Sequence, residues 1–366
     1  MEYEEPLFFR VMSYASRSAG DVIDMVSGNP DWGAPPGIAE GLHEYADSGG
    51  ADFQYPPSNG LSRLRDQIAE RNDVTAERVI VTSGGGEANY LAMARALDRD
   101  AGTEVILTDP VYPYYPGKTD MLGGEQVFVP AEESGHLDPD RVAAAASEET
   151  ACIVVNSPNN PTGAVYDAET IARLVGIAEA HDAILVSDEV YDHFDYSGRF
   201  ASALAVDSSH RIVTRSFSKT YAITGFRVGY AVVPDEHVDA LRTRHMLTNV
   251  AGSRPSQYAV SHAIETTDRA YHAANRDLVQ KRIETFTTAL DRAGAEYTDP
   301  EGAFYVMARF PGIDGSLENT YTIIDDAGVA GMPGESFGSA FEDWFRFALV
   351  TPRVDEAADR LVEYFG

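Results

Sequence analysis

The sequence predicts an α/β fold, with a mostly parallel central sheet sandwiched by helices and a smaller α+β domain. Three observations carry this. Short apolar runs recur between residues 78 and 233, with helical patterns between several of them. The runs are rich in Val and Ile and apolar on both faces, as strands covered from both sides are. After about residue 235 the alternation gives way to a long helical stretch and then to further strands. A length of 366 residues suits two domains at roughly 150 residues each. A hydrophobic share of 44% suffices for a sizeable core.

In chain order the runs are "RVIVTSGGG" (78–86), "EVILTDP" (104–110), "ACIVVNSPNNP" (151–161), "AILVSDEVY" (183–191), "RIVTRSFSK" (211–219) and "GFRVGYAVV" (225–233). Helical patterns such as "EANYLAMARAL" (87–97) and "AETIARLVGIAEA" (168–180) separate them. Strand–helix alternation argues for parallel pairing with helices on both faces. The last two runs follow each other closely, which predicts an antiparallel pair. Residues 255 to 293 read as one long helical region, "GAFYVMARF" (302–310) and "WFRFALV" (344–350) as strands, and "DEAADRLVEYF" as a last helix. The Gly- and Pro-rich "SGNPDWGAPPG" (27–37) is the one linker-like stretch. The expected division is an N-terminal segment over 1–35, a large domain over 36–250 and a C-terminal small domain over 251–366.

Charge narrows the function. There are 58 acidic and 28 basic residues, a net of −30, and the only lysines are Lys118, Lys219 and Lys281. Such a balance repels phosphate backbones and argues against nucleic-acid binding. The acids are spread through helices and loops rather than gathered in a tail. A surface this acidic and lysine-poor resembles proteins of salt-loving archaea, where concentrated salt screens the self-repulsion. An ordinary acidic enzyme is the alternative. No apolar run of about 18 residues is present, so no membrane span is expected. The acidic opening "MEYEEPLFFR" is unlike a secretory signal, and the lone Cys152 sits in an apolar run; a cytoplasmic protein is expected.

In open parallel sheets, ligands bind beyond the carboxyl ends of strands. Every polar cluster here falls at such an end: Gly84, Gly85 and Gly86; Asn156 and Asn160; Asp188 and Tyr191; Ser216 and Lys219. "SGGGEAN" opens a helix, where exposed N–H groups suit a phosphate. A dinucleotide site is a rival reading, but Asn89 stands where a third glycine would be needed. A tight turn without a ligand is a further alternative. The asparagines of "NSPNNPTG" (156–163) suit a planar ligand or simple turn chemistry. Asp188, ending an apolar strand, needs a cationic partner or serves as a cap.

In this order, "NSPNNPTG", "SDEVY" and "SFSKTYAITGFRVGY" resemble the pyridoxal-5′-phosphate aminotransferases of fold type I, class I/II, over nearly the whole chain. The resemblance implies that Lys219 forms the Schiff base with the cofactor; a lysine amine can lose its proton for this, whereas arginine stays charged. It implies that Gly85, Gly86, Ser216, Ser218 and Arg227 hold the phosphate, and that Asp188 keeps the pyridine nitrogen protonated. Tyr191 and Asn160 would bond the ring's phenolic oxygen, and Tyr112 would stack on the ring. Arg346, in "WFRFAL", matches the arginine that grips the substrate α-carboxylate. Gly28 matches the segment that folds over the substrate. Tyr55 matches a tyrosine that reaches a neighbour's cofactor, which implies a homodimer.

The implied reaction is ping-pong transfer of an amino group from an L-amino acid to a 2-oxo acid. A C–S β-lyase of the same fold would use the same residues. A non-catalytic binding protein on this scaffold is a third reading, against which the complete residue set argues. No metal is implied. For the substrate side chain, Arg244 and Arg254 lie in the region where a second carboxylate would be met, or form surface ion pairs. Tyr14 and Trp32 are candidates for lining an aromatic or aliphatic pocket.

Overall fold

In the computed structural model, which describes residues 6–366, seven strands build the central sheet. They are β1 (Val79–Thr82), β2 (Glu104–Asp109), β3 (Glu125–Pro130), β4 (Thr150–Asn156), β5 (Ile184–Asp188), β6 (Arg211–Ser216) and β7 (Gly229–Val232). Their order is β1-β7-β6-β5-β4-β2-β3. The five strands from β6 to β3 run parallel, and β7 is antiparallel to both neighbours. The expected antiparallel pair is therefore β6 with β7. The acidic opening stretch, 1–5, lies outside the described residues.

Alternation explains why the runs are apolar throughout. Ile153 and Val155 of β4 join a core with Leu174 and Val175 of helix Ala168–Ala180. Cys152 and Val154 point the other way, into a core with Ala88, Leu91 and Ala92 of helix Gly85–Leu97. Strand β3 was not among the expected runs. It is an edge strand with Glu125 and Pro130 exposed and Gln126, Val127 and Phe128 not buried, so it lacks the signature of a covered strand.

The expected single helical region over 255–293 is two helices, Arg254–Thr266 and Arg269–Arg292. Asp268 caps the second by accepting from the Ala270 N–H. Helix Arg254–Thr266 packs on the large domain's core through Val260 and Ala263. Helix Arg269–Arg292 packs through Val279, Ile283 and Phe286 on the smaller unit. That unit holds an antiparallel sheet of β8 (Glu296–Tyr297), β9 (Tyr305–Arg309), β10 (Met332–Pro333) and β11 (Phe345–Ala348), in the order β10-β11-β9-β8. Helix Val354–Phe365 covers it. The N-terminal segment joins the same unit: Ile23 and Met25 lie in its core, and Ile23–Asp24 pairs with Val329–Ala330. Beyond it, Asp31 takes two 2.7 Å hydrogen bonds from Arg282. Among the described residues no helix is long and apolar enough to cross a membrane.

Candidate functional site

A cavity of about 650 Å³ opens at the carboxyl ends of the parallel strands, between the central sheet, the N-terminal segment and the small unit. Its lining includes Gly28, Gly85, Gly86, Tyr112, Asn160, Asp188, Tyr191, Ser216, Ser218, Lys219, Arg227 and Arg346. These residues come from seven separate stretches of chain, brought together by the sheet and its neighbours. Tyr55 is not among them: it is 81% exposed.

One end of the cavity is built for an anion. Helix Gly85–Leu97 starts here, and the N–H groups of its first turn have no partner within the helix. Gly84 takes a positive φ of 82°, and a side chain there would meet the Arg227 guanidinium at 2.6 Å. Glycine is thus what lets Arg227 lie against the turn, where it donates to the Ser83 and Thr224 carbonyls. Ser216 caps the short helix Phe217–Thr220, accepting from the Ser218 N–H at 3.1 Å. Both serines are buried in the cavity wall.

Asp188 ends β5 and is buried. Its Oδ2 accepts from the Asn89 side-chain amide and from the Tyr115 hydroxyl, each at 2.6 Å. Asn89 is oriented in turn by the Thr214 hydroxyl, which donates to its Oδ1. Asp188 makes no salt bridge among the described residues. Burial raises its pKa, only partly offset by these donors.

Lys219 lies across the cavity, its Nζ donating to the Gly28 carbonyl at 2.6 Å. Burial lowers its pKa to about 8, helped by the positive charges of Arg346 and Arg227. Gly28 approaches so closely that a Cβ would lie 2.0 Å from the Tyr305 hydroxyl. That hydroxyl is 3.1 Å from the Tyr191 hydroxyl, and burial raises the Tyr191 pKa.

The other end is cationic. Arg346, on β11, is buried and among the described residues pairs with no carboxylate. One Nη donates to Asn160 Oδ1 at 3.1 Å and the other to the Val26 carbonyl at 2.5 Å, while Nε has no partner. Its guanidinium lies 4.6 Å from the Tyr305 ring centre and 5.1 Å from that of Phe337. Asn160 is held by Asn156, whose Oδ1 accepts from the Asn160 N–H at 2.7 Å. A loop contact closes this region: Asp109 accepts from the Ser339 and Ala340 N–H groups, and the Val111 N–H donates to the Phe337 carbonyl.

Tyr14 and Trp32 do not line the cavity. Tyr14 stacks on Tyr321 and donates to Asp325; Trp32 packs on Phe194 and Phe304. Arg244 pairs with Asp98, and Arg254 with Asp52. Sequence reasoning missed Tyr115, Tyr305 and the support role of Asn89. A tyrosine cluster at 112–115 and an asparagine in place of a third glycine were the only signals available.

Comparison with known proteins agrees over most of the length. The family described as aminotransferase class I and II matches residues 20–364. An aspartate/prephenate aminotransferase of Thermus thermophilus is 31% identical over 360 residues, spanning 96% of this chain and 92% of that protein. An aspartate aminotransferase of Pyrococcus horikoshii is 31% identical over 362 residues, spanning 93% and 90%. A solved structure of Thermus thermophilus aspartate aminotransferase with maleate superposes with a TM-score of 0.90 at 31% identity, covering 98% of this chain and 97% of that one.

Proposed function

The chain belongs to the class I and II aminotransferases, pyridoxal-5′-phosphate enzymes that move an amino group from an L-amino acid to a 2-oxo acid by a ping-pong mechanism, and on that premise we propose how its own residues divide the work. When bound, the cofactor supplies an aldehyde for amine exchange and a ring that accepts the electron pair left at the substrate Cα. Lys219 Nζ would hold the cofactor and move the Cα proton. Its lowered pKa keeps a usable fraction neutral near neutral pH.

The observation that carries the reading is Asp188. A buried carboxylate with three hydrogen-bond donors and no cation calls for a positively charged ligand atom in the cavity. A protonated ring nitrogen supplies one. At the anion end, Gly85, Gly86, Ser216, Ser218 and Arg227 would hold the phosphate. Arg346, buried without a carboxylate, would take the substrate α-carboxylate, with Asn160 and the Gly28 segment beside it. Tyr191 and Tyr112 complete the wall, where Tyr112 would stack on the ring.

We further propose a homodimer to which Tyr55 contributes across the interface. Supporting this, Tyr55 is 81% and Leu247 78% exposed, and Phe53, Met246 and Val250 are exposed as well. Arg254 ties the two stretches together through Asp52 and the Gln54 carbonyl. The division into 1–35, 36–250 and 251–366 also stands as a proposal, with helix Arg254–Thr266 packed on the large domain. The net charge of −30 supports a halophilic archaeal origin and a cytoplasmic, salt-rich setting. Molar KCl should then raise the unfolding temperature substantially; full stability in dilute buffer would sink that origin alone.

The test of the reaction is stoichiometric. With an amino acid and an oxo-acid acceptor, new oxo acid and new amino acid should form one for one. Pyruvate and ammonia from a cysteine conjugate, without any acceptor, would identify a C–S β-lyase instead.

A further inference from the structure

The cavity extends past Arg346 into a wall that the transfer chemistry does not use. Leu7 and Phe8 of helix Leu7–Arg17, with Met332 and Phe337, line it. All four belong to one apolar cluster, packed around Val26 and Ile324. Met332 pairs with Arg346 in the sheet, and Phe337 stacks on its guanidinium. A substrate held by Arg346 through its α-carboxylate therefore has this wall within reach of its side chain.

The polar groups of the wall, Ser336 and Glu335, bring no positive charge to it. Ser336 lines the cavity with a buried hydroxyl that has no partner among the described residues. Glu335, an exposed residue at the cavity edge, also lines it and accepts from the Leu317 N–H at 2.9 Å. Among the described residues, the lysines and arginines that line the cavity are Lys219, Arg227 and Arg346. Each already has a task on the reading given above. Arg244 and Arg254, the other candidates for a second carboxylate, are occupied by Asp98 and Asp52.

Resting on the aminotransferase reading, we propose that the amino donor has a large uncharged side chain, seated on Leu7, Phe8, Met332 and Phe337, and that Glu335 rejects a second carboxylate. The physical reason is twofold. An apolar wall gains from covering an aliphatic, thioether or aromatic group. A side-chain carboxylate there would lose water without gaining a cation from the described residues of this chain and would face a like charge.

The half-reaction tests this without an acceptor. Purified holoenzyme is mixed with single amino acids, and loss of the visible absorbance gives a second-order rate constant for each. Leucine, methionine and phenylalanine should exceed aspartate and glutamate by about tenfold or more. Aspartate or glutamate reacting as fast would overturn the substrate class and leave the aminotransferase reading standing. Reaction with no amino acid at all would overturn both. Calorimetry with unreactive ligands adds a second readout, with 3-phenylpropionate expected to bind about tenfold tighter than succinate. Phe8→Ala should lower the phenylalanine-to-alanine rate ratio about tenfold, and the milder Phe8→Leu in the same direction. Glu335→Gln, which keeps an acceptor for Leu317, should raise the aspartate-to-leucine ratio severalfold. Unchanged ratios in folded variants would overturn the roles given to these residues.

Discussion

Lys219 Nζ donates to the Gly28 carbonyl at 2.6 Å, so the amine of the large domain is held by the N-terminal segment that covers the cavity. The same amine has its pKa lowered to about 8 by burial and by Arg346 and Arg227. The sign is fixed by the charge type: burial disfavours the ammonium form, so the neutral amine appears at lower pH. Cofactor uptake by the cofactor-free protein should therefore speed up through about pH 8 and level off above it. Stopped-flow absorbance would show this. A rate still climbing steadily to about pH 10 would mean an unperturbed lysine.

Asp188 gives a prediction in which stability and activity part. Burial raises its pKa, so the ligand-free folded chain holds that proton more tightly than the unfolded chain. Its contribution to stability is then lost as pH rises from the ordinary carboxylate range through the raised value. Asp188→Asn removes the ionisation and keeps an acceptor for Asn89 and Tyr115. The cofactor-free variant should melt at or above the wild type. Its transfer rate should fall by about 10²–10³-fold. A variant that is destabilised yet fully active would contradict the assigned role.

Arg346→Lys keeps the charge but not the planar fork. Amino acid and oxo acid both present an α-carboxylate, so both half-reactions should slow. The expected loss in kcat/KM is about a hundredfold or more in each, on the scale of disrupting a buried charge pair. Loss in only one half-reaction would place the α-carboxylate elsewhere.

What could be read beforehand follows from where the information lies. Lys219, Asp188, Arg227 and Asn160 sit at strand ends in short stretches of unusual composition, so local sequence exposes them. Tyr115 and Asn89 act by touching Asp188 from 73 and 99 positions away, and no local pattern marks such a contact. Tyr305 meets Gly28 across 277 positions, and only the absence of a side chain at Gly28 leaves room for its hydroxyl, a contact that no local pattern marks. Strand β3 escaped because an exposed edge strand need not be apolar on both faces. The break at Thr267–Asp268 was missed because its cap is a single aspartate within a continuous helical pattern.

Among the described residues the Tyr55 hydroxyl has no hydrogen-bond partner, and Tyr55 lies on the surface with Phe53. If it serves a neighbour's site, Lys219→Ala and Tyr55→Ala are each impaired, the second less severely. Refolding the two together should produce hybrids in which one site has both an intact Lys219 and an intact Tyr55. Activity above the mean of the parents is expected. Hybrids that form yet give only that mean would assign Tyr55 to its own subunit or to none.

On the proposed reading Lys219 holds the cofactor. The chain offers only Lys118, Lys219 and Lys281 as alternatives, which makes the assignment unusually easy to resolve. Lys118 matters most as a rival, because burial lowers its pKa to about 8 as well. The holoenzyme should be reduced with borohydride, digested, and the cofactor-bearing peptide mapped by mass spectrometry. The label should fall on Lys219, within "SFSKTYAITGFR", and be lost in Lys219→Ala. A label on Lys118 or Lys281 would contradict it.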